Sequence, residues 1–371
     1  MTSHPPNPSH SSLGRPFSPR RWLRNAHAQT IAGNFLRRQG APLPLPEELV
    51  IPVEPEHTAR LRGGANVHVA ATSVVCLCHW QLEPASRLTV VLVHGLEGSA
   101  HSGYILGNTG RLLAAGCNVV RMNMRACGGA DALAPTIYHS GRSEDIDSVV
   151  QALGARDCGR IALVGYSMGG NLVFRYAGEQ SVKRGAGAAA GPVVAVAGVS
   201  PLLDLAPSSA ALHAPSNRLY EKRFLRAMKR RLRVKAELFP EIYGSLEREG
   251  VFERIRTMRD FDGEIVARFG GFRDADDYYE QVRASHYADS FAIPSLILHA
   301  ADDPFIRTLP VTVQRLRANP CVRYVETTHG GHCAFLAEPS ADDQGRWAEE
   351  TIAQWLEQQV GVTRPEQAGN E

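Results

Sequence analysis

Ile161-Ala162-Leu163-Val164-Gly165-Tyr166-Ser167-Met168-Gly169-Gly170-Asn171-Leu172-Val173 decides how this chain is read. The apolar run Ile161–Val164 predicts a short buried strand. The residues after the turn predict a helix with Leu172, Val173, Tyr176 and Ala177 on its apolar face. Between them lies Gly165-Tyr166-Ser167-Met168-Gly169. A serine held in a strained conformation at such a turn needs small neighbours, and Gly165 and Gly169 supply them. It then stands above the strand's C-terminal end, at a helix N-terminus whose dipole favours negative charge. Ser167 is therefore the candidate nucleophile. The plainer reading of five residues alone is a glycine-rich turn carrying a surface serine, so the neighbouring sequence has to decide.

On both sides, short apolar runs alternate with helix-length segments. The runs are Leu88–Val93, Asn118–Met122, Arg160–Val164, Val193–Val199, Ser295–Leu298 and Val322–Glu326. That rhythm predicts an α/β fold with a mostly parallel central sheet and helices on both faces. Two further strands are expected at Val67–Ala71 and Val74–Trp80, after a proline-rich lead-in from Arg21 to Glu56. The last helix, near Arg346–Gln359, should bury Trp347, Ile352, Trp355 and Leu356. From about Leu205 to Tyr287 the strands stop and helical patterns take over, which is too long for a loop and reads as a helical cap. The expected division is a disordered segment 1–20, a core formed by 21–204 and 288–360, a cap 205–287 and a tail 361–371.

The strand Leu88–Val93 runs into His94-Gly95-Leu96-Glu97-Gly98. In an alpha/beta-hydrolase arrangement this loop gives one backbone N–H of an oxyanion hole, and the residue after the nucleophile gives the other. These are Leu96 and Met168. An acid and a histidine should follow in that order. Asp302-Asp303-Pro304-Phe305 comes after strand Ser295–Leu298, and His329-Gly330-Gly331-His332 comes after Val322–Glu326. Asp303 is preferred to Asp302 on spacing, with Asp302 open as a turn residue and Asp204 a distant third. His332 is preferred to His329 because two glycines let it approach the serine closely. His329 then reads as a residue that shapes the loop. A metal site at His329 and His332 lacks a third ligand, so no metal is expected.

Composition narrows the function. Net charge is +2 and 44% of residues are hydrophobic. No whole-molecule field favours nucleic acid, and no run of about 18 apolar residues predicts a membrane span. The seven cysteines are scattered. Cys76 and Cys78 fall on one strand face and read as buried thiols, which fits a reducing cytoplasm. Met1–Pro19 lacks the apolar core of a secretory signal.

Taken together these residues resemble the YheT-like branch of the alpha/beta-hydrolase superfamily, its subfamily 4. The resemblance runs from about residue 21 to 360. Beyond the triad motifs it includes His27-Ala28-Gln29-Thr30, His94-Gly95-Leu96-Glu97-Gly98, Arg125-Ala126-Cys127-Gly128-Gly129, Tyr138-His139-Ser140-Gly141, Phe261-Asp262, Asp277-Tyr278-Tyr279 and Asp302-Asp303-Pro304-Phe305. It implies a hydrolase of carboxylic esters without a cofactor, with relatives that act on lipids or pass acyl groups to alcohols. One departure is Ala126, where relatives usually carry glycine.

The expected function is ester hydrolysis through a Ser167–His332–Asp303 triad and an acyl-enzyme, on a short- to medium-chain or lipid-like substrate. Acyl transfer to an alcohol and a non-catalytic binding role on the same fold are the alternatives. The cap opens with a basic amphipathic helix. Tyr220, Phe224, Met228 and Leu232 form its stripe, flanked by Lys222, Arg223, Arg226, Lys229, Arg230, Arg231 and Arg233. It reads either as a surface for anionic membrane or as a helix packed on the core with a solvated basic face.

Overall fold

The apolar runs assemble into one sheet. The computed structural model describes residues 14–36, 38, 42–54, 71–185, 191–339 and 344–361. The strands are β1 (Glu47–Val53), β2 (Thr72–His79), β3 (Thr89–Val93), β4 (Asn118–Met122), β5 (Ile161–Tyr166), β6 (Val193–Val199), β7 (Ser295–Ala300) and β8 (Val322–Thr327). Their order across the eight-stranded sheet is β1-β2-β4-β3-β5-β6-β7-β8. β2 is antiparallel to β1 and β4, while every pairing from β4 to β8 is parallel. Parallel neighbours need crossovers, and the crossover helices cover both faces. This is why β3, β4 and β5 are buried at every position and read as unbroken apolar runs.

The helices are α1 (Ala26–Phe35), α2 (Gly103–Ala114), α3 (Ser143–Ala155), α4 (Met168–Arg184), α5 (Leu205–Leu212), α6 (Arg218–Leu238), α7 (Ala275–Val282), α8 (Pro310–Ala318) and α9 (Trp347–Val360), with shorter turns between them. The period of two along each strand divides the core. Val91, Val93 and Leu163 pack with Ile146 and Val149 of α3 and Leu172 and Val173 of α4. Val90, Leu92 and Val164 face the other way, onto Ile105 and Leu112 of α2 and Ile352 and Trp355 of α9. Trp355 is fully buried, and replacing it with alanine should cost about 3–5 kcal/mol.

Between β6 and β7 the described chain forms helices joined by turns, with no strand. Met228 and Leu232 of α6 join Ile242, Phe261 and Val266 in the same core as α3 and α4, so this cap shares a hydrophobic face with the sheet layer. It contains a π-helical stretch, Asp262–Ala267.

Several expectations change. Residues 67–70 of the expected strand Val67–Ala71, residues 1–13 of the expected disordered segment, and residues 362–371 of the expected tail lie outside the described residues. Residues 14–20 are held in place, contrary to the expectation of disorder. Pro19 bridges to Ala337, the Trp347 indole donates to the Arg15 carbonyl at 2.8 Å, and Phe17 sits edge-on to Phe335 and Trp347. The proline-rich lead-in also contains two elements that were not anticipated, α1 and β1. Ala126 adopts φ 59°, the left-handed region that glycine occupies freely and alanine does not.

Candidate active site

Four loops leave the same sheet edge, after β3, β5, β7 and β8, and they meet at one cavity of about 680 Å³. Ser167 follows β5 and caps α4 with φ 53° and ψ −115°, a conformation that costs of order 1–3 kcal/mol and persists only where the surroundings enforce it. They do so here. The Ser167 N–H donates to the Val199 carbonyl at 3.0 Å, and its own carbonyl accepts from Asn171 and Leu202. A β-carbon on Gly165 would lie 2.2 Å from the Gly169 carbonyl oxygen, and one on Gly169 would lie 2.4 Å from the carbonyl oxygens of Val93 and His94. No side chain fits at either position.

The loop after β3 comes directly against the serine. A β-carbon on Gly95 would stand 3.2 Å from that of Ser167. His94, fully buried, fixes this loop. Its Nε2 accepts from the Met124 N–H at 3.2 Å, so its Nδ1 carries the proton and donates to the Gly95 carbonyl at 2.8 Å. Burial brings its pKa down to about 4, against the pull of that carbonyl, so the ring is neutral. The Gly95 N–H is taken by the Tyr104 hydroxyl. The N–H groups of Leu96 and Met168 make no hydrogen bond among the described residues, and both residues line the cavity beside Ser167.

Asp303 and His332 are brought together. His332 Nδ1 lies 2.9 Å from Asp303 Oδ2, and Asp303 Oδ1 accepts from the N–H groups of Phe305 at 3.1 Å and Ile306 at 2.9 Å. Asp303 is 1% exposed. Burial alone would raise its pKa; the His332 ring and the Ile306 N–H outweigh it and bring it below the usual carboxylate value. For His332, burial opposes the charge. The Cys333 sulfur, 3.6 Å from Nε2, and the Asp303 carboxylate favour the charged ring and outweigh burial, and the pKa is pushed up to about 10. Cys333 is itself anchored, its N–H to Ser200 Oγ and its thiol to the Val199 carbonyl that also holds Ser167.

The other candidates fall to structural work. Asp302 accepts from the Gly331 N–H at 2.9 Å and stands 3.4 Å from His329 Nδ1, shaping the histidine loop from below. Asp204 accepts from the Ser285 hydroxyl and the Leu309 N–H, tying the start of the cap to the approach to α8. Among the described residues no group of three His, Cys, Asp or Glu side chains could hold a metal ion.

Three features escaped sequence reasoning. On α1, Thr30 Oγ1 accepts from the His332 N–H at 2.9 Å, and Gln29 exchanges two hydrogen bonds with the main chain of Leu336. This helix clamps the histidine loop. Glu97, at φ 54°, receives hydrogen bonds from the Tyr138 hydroxyl at 2.8 Å and from Arg231 Nε on α6 at 2.9 Å, while its N–H donates to Tyr138 at 2.7 Å. Arg231 also reaches the Ala126 carbonyl and Asp131. The loop that carries Leu96 is thus bolted to the cap, and Arg231 is not on a solvated face as the sequence suggested. Its i+4 partner Lys235 is fully buried, donating to the carbonyls of Asp131 and Ala134. Finally, Asp262 on the π-helical turn lines the cavity and accepts from the Tyr279 hydroxyl at 2.6 Å. Burial pushes its pKa to about 7. The recurrence of Tyr138, Asp262 and Tyr279 within the resemblance motifs was the available signal.

Comparison with known proteins agrees with this architecture. The alpha/beta hydrolase fold family matches residues 89–339. YheT of Escherichia coli (strain K12), a candidate esterase by name, is 32% identical over 92% of this chain and 92% of its own. The phospholipase ABHD3 of Mus musculus is 29% identical over 69% of this chain, which spans 60% of that relative's length. Among solved structures, an esterase of Pyrobaculum calidifontis superposes with a TM-score of 0.50 at 19% identity, over 86% of this chain and 87% of its own. That likeness concerns the fold alone.

Proposed function

Because the chain belongs to the alpha/beta hydrolase family, within its YheT-like branch, we propose that it cleaves carboxylic esters through Ser167, His332 and Asp303. The carrying observation is the 2.9 Å Asp303–His332 pair at the wall of the cavity that also receives the strained Ser167. His332 Nε2 takes the Ser167 proton as Oγ attacks the ester carbonyl. Asp303 keeps the proton on Nδ1 and stabilises the imidazolium. The free N–H groups of Leu96 and Met168 receive the oxyanion, a contribution of about 3–4 kcal/mol for each donor. Collapse of the tetrahedral species returns the proton from His332 to the leaving alcohol. Water, deprotonated by the same ring, then releases the acid.

The cavity suits a short- to medium-chain or lipid-like acyl ester, since Leu202, Leu205, Leu212, Met258 and Val266 line its inner wall. A cytoplasmic setting goes with the five cysteines that are buried and unpaired. Burial pushes the thiols of Cys76 and Cys78 up, as expected of structural cysteines.

The test is fluorophosphonate labelling of wild type and Ser167→Ala, with p-nitrophenyl esters of graded chain length. Labelling of wild type alone and an approximately million-fold loss of turnover in the variant are expected. Equal labelling of both would place the nucleophile elsewhere. Absence of both labelling and turnover in wild type would bring forward a binding role.

A further inference from the structure

Helix α6 shows two unlike sets of cations. Arg231 and Lys235 point into the protein and are fully engaged. Lys229 reaches the Phe252 carbonyl at 2.7 Å, and Arg233 lies over the Phe252 ring. Arg223, Arg226 and Arg230 differ. They follow one another at i, i+3 and i+7, so they share one face and span about 10 Å along the axis. All three are exposed and all three line the catalytic cavity. Among the described residues none of the three side chains has an ion pair or hydrogen bond.

The acids of this helix, Glu221 and Glu237, stand neither three nor four residues from any of the three, and Glu221 is taken by the Met258 N–H and His213. Arg226 and Arg230 stand at i and i+4, and Lys222 is at i−4 from Arg226. Like charges at that spacing destabilise a helix, and nothing nearby offsets the cost. The two carboxyls of the cavity wall are already satisfied, Glu97 by Arg231 and Tyr138, and Asp262 by Tyr279. The inner wall is otherwise mainly apolar. The cavity is thus amphiphilic: an apolar interior leading to Ser167, and a rim with three unneutralised guanidinium groups. A low-dielectric cleft rimmed by one sign of charge concentrates ligands of the opposite sign, and a guanidinium matches carboxylate and phosphate oxygens in pairs.

Resting on the triad reading above, we propose that the substrate is an anionic ester, its acyl linkage at Ser167 and its carboxylate or phosphate held at the rim by Arg223, Arg226 and Arg230. The anion belongs either to a soluble ester or to a lipid headgroup, and both present the same chemistry to the row.

The test compares kcat/KM for matched esters: p-nitrophenyl valerate with p-nitrophenyl hemiglutarate, and phenyl butyrate with 4-carboxyphenyl butyrate. Wild type should favour at least one anionic member over its neutral match by about tenfold or more at low salt. The ratio should shrink as salt rises, since the Debye length is only about 10 Å at 0.1 M. In the combined variant Arg223→Gln, Arg226→Gln, Arg230→Gln the ratio should fall to about that of free hydrolysis. The combined change to lysine should restore part of it, and Lys222→Gln, on the same helix but outside the cavity, should leave it unchanged. A parallel arm presents short-chain esters in phosphatidylglycerol and in phosphatidylcholine vesicles. A preference seen only with the anionic vesicles, and lost in the glutamine variant, assigns the anion to a headgroup. Cleavage of neutral esters with no anionic preference in either arm, or a preference that survives the glutamine changes, overturns this inference alone. Failure to cleave any ester overturns the triad reading with it.

Discussion

The sheet edge and the cap handle charge in opposite ways. At the edge, the buried carboxylate is enclosed by partners: Asp303 takes a histidine on one oxygen and two backbone N–H groups on the other. In the cap, α6 carries cations all along its length, and the helical period sorts them into an anchored set and a free set. The edge needs one geometry, which short loops between parallel strands can hold. The cap needs only to close over that geometry, and it can spend its remaining surface on selecting what enters. The lesson is that neighbouring charges in this molecule are not equivalent, because what decides their role is the partner that packing brings.

The two adjacent acids break or sustain this contrast most sharply. Asp303→Asn should lower kcat by about ten-thousand-fold, because the ring loses the partner that sets its tautomer. Asp302→Asn, which only weakens the contact to the Gly331 N–H and to His329, should cost about tenfold or less, near the worth of one hydrogen bond. Steady-state kinetics on a single p-nitrophenyl ester separates the two, and comparable losses would erase the distinction.

The bolt between the regions comes next. Arg231→Met leaves Glu97 short of a partner beside the Leu96 loop, and Glu97→Gln weakens the same contact from the other side. Each should lower kcat by about tenfold or more with a smaller change in KM. The double variant should reveal a coupling of about 1–3 kcal/mol. Additive effects would mean that the cap does not hold the oxyanion loop.

A smaller effect lies within the edge. In the proposed triad His332 acts as a base only when unprotonated, so its raised pKa predicts that kcat/KM climbs with pH above the ordinary imidazole range. Cys333→Ala removes the sulfur that stands beside Nε2 and favours the imidazolium, so the acid limb should move to lower pH by about one unit. A limb that stays in place, or moves up, would show that the thiol does not lift the base.

The smallest change is one of backbone conformation. Ala126→Gly relieves a left-handed alanine and should stabilise the fold by about 1 kcal/mol in chemical denaturation, with turnover kept. Destabilisation would indicate that the Ala126 methyl group, fully buried, packs better than its backbone strain costs.

Much of the fold was legible because buried parallel strands leave continuous apolar runs. All six runs from Leu88 to Glu326 became strands of the sheet. β1 was hidden by its own composition: Pro52 sits inside it, which only an edge strand tolerates, and β1 pairs on one side alone,. α1 was hidden because the residues it buries, Gln29 and Thr30, are polar. Hydrophobic periodicity cannot register a helix whose inner face works by hydrogen bonds. Arg231 differs from its expected solvated position for a related reason. Charge along a helix predicts a solvated face until a carboxylate and a row of carbonyls are found opposite it.

The sequence by itself determined the order of strands and helices from β3 to β8, the glycine-bounded turn at Ser167 and the placement of Asp303 and His332 in loops at one sheet edge. These depend on local period, on turn chemistry and on the rule that parallel strands end together. Only the tertiary structure decided which acid meets which histidine, that Thr30 and Gln29 hold the histidine loop, that Arg231 reaches Glu97, and that Arg223, Arg226 and Arg230 are left at the rim without partners. Those outcomes depend on groups far apart in the chain, and the charge on a side chain says nothing about what will be packed beside it.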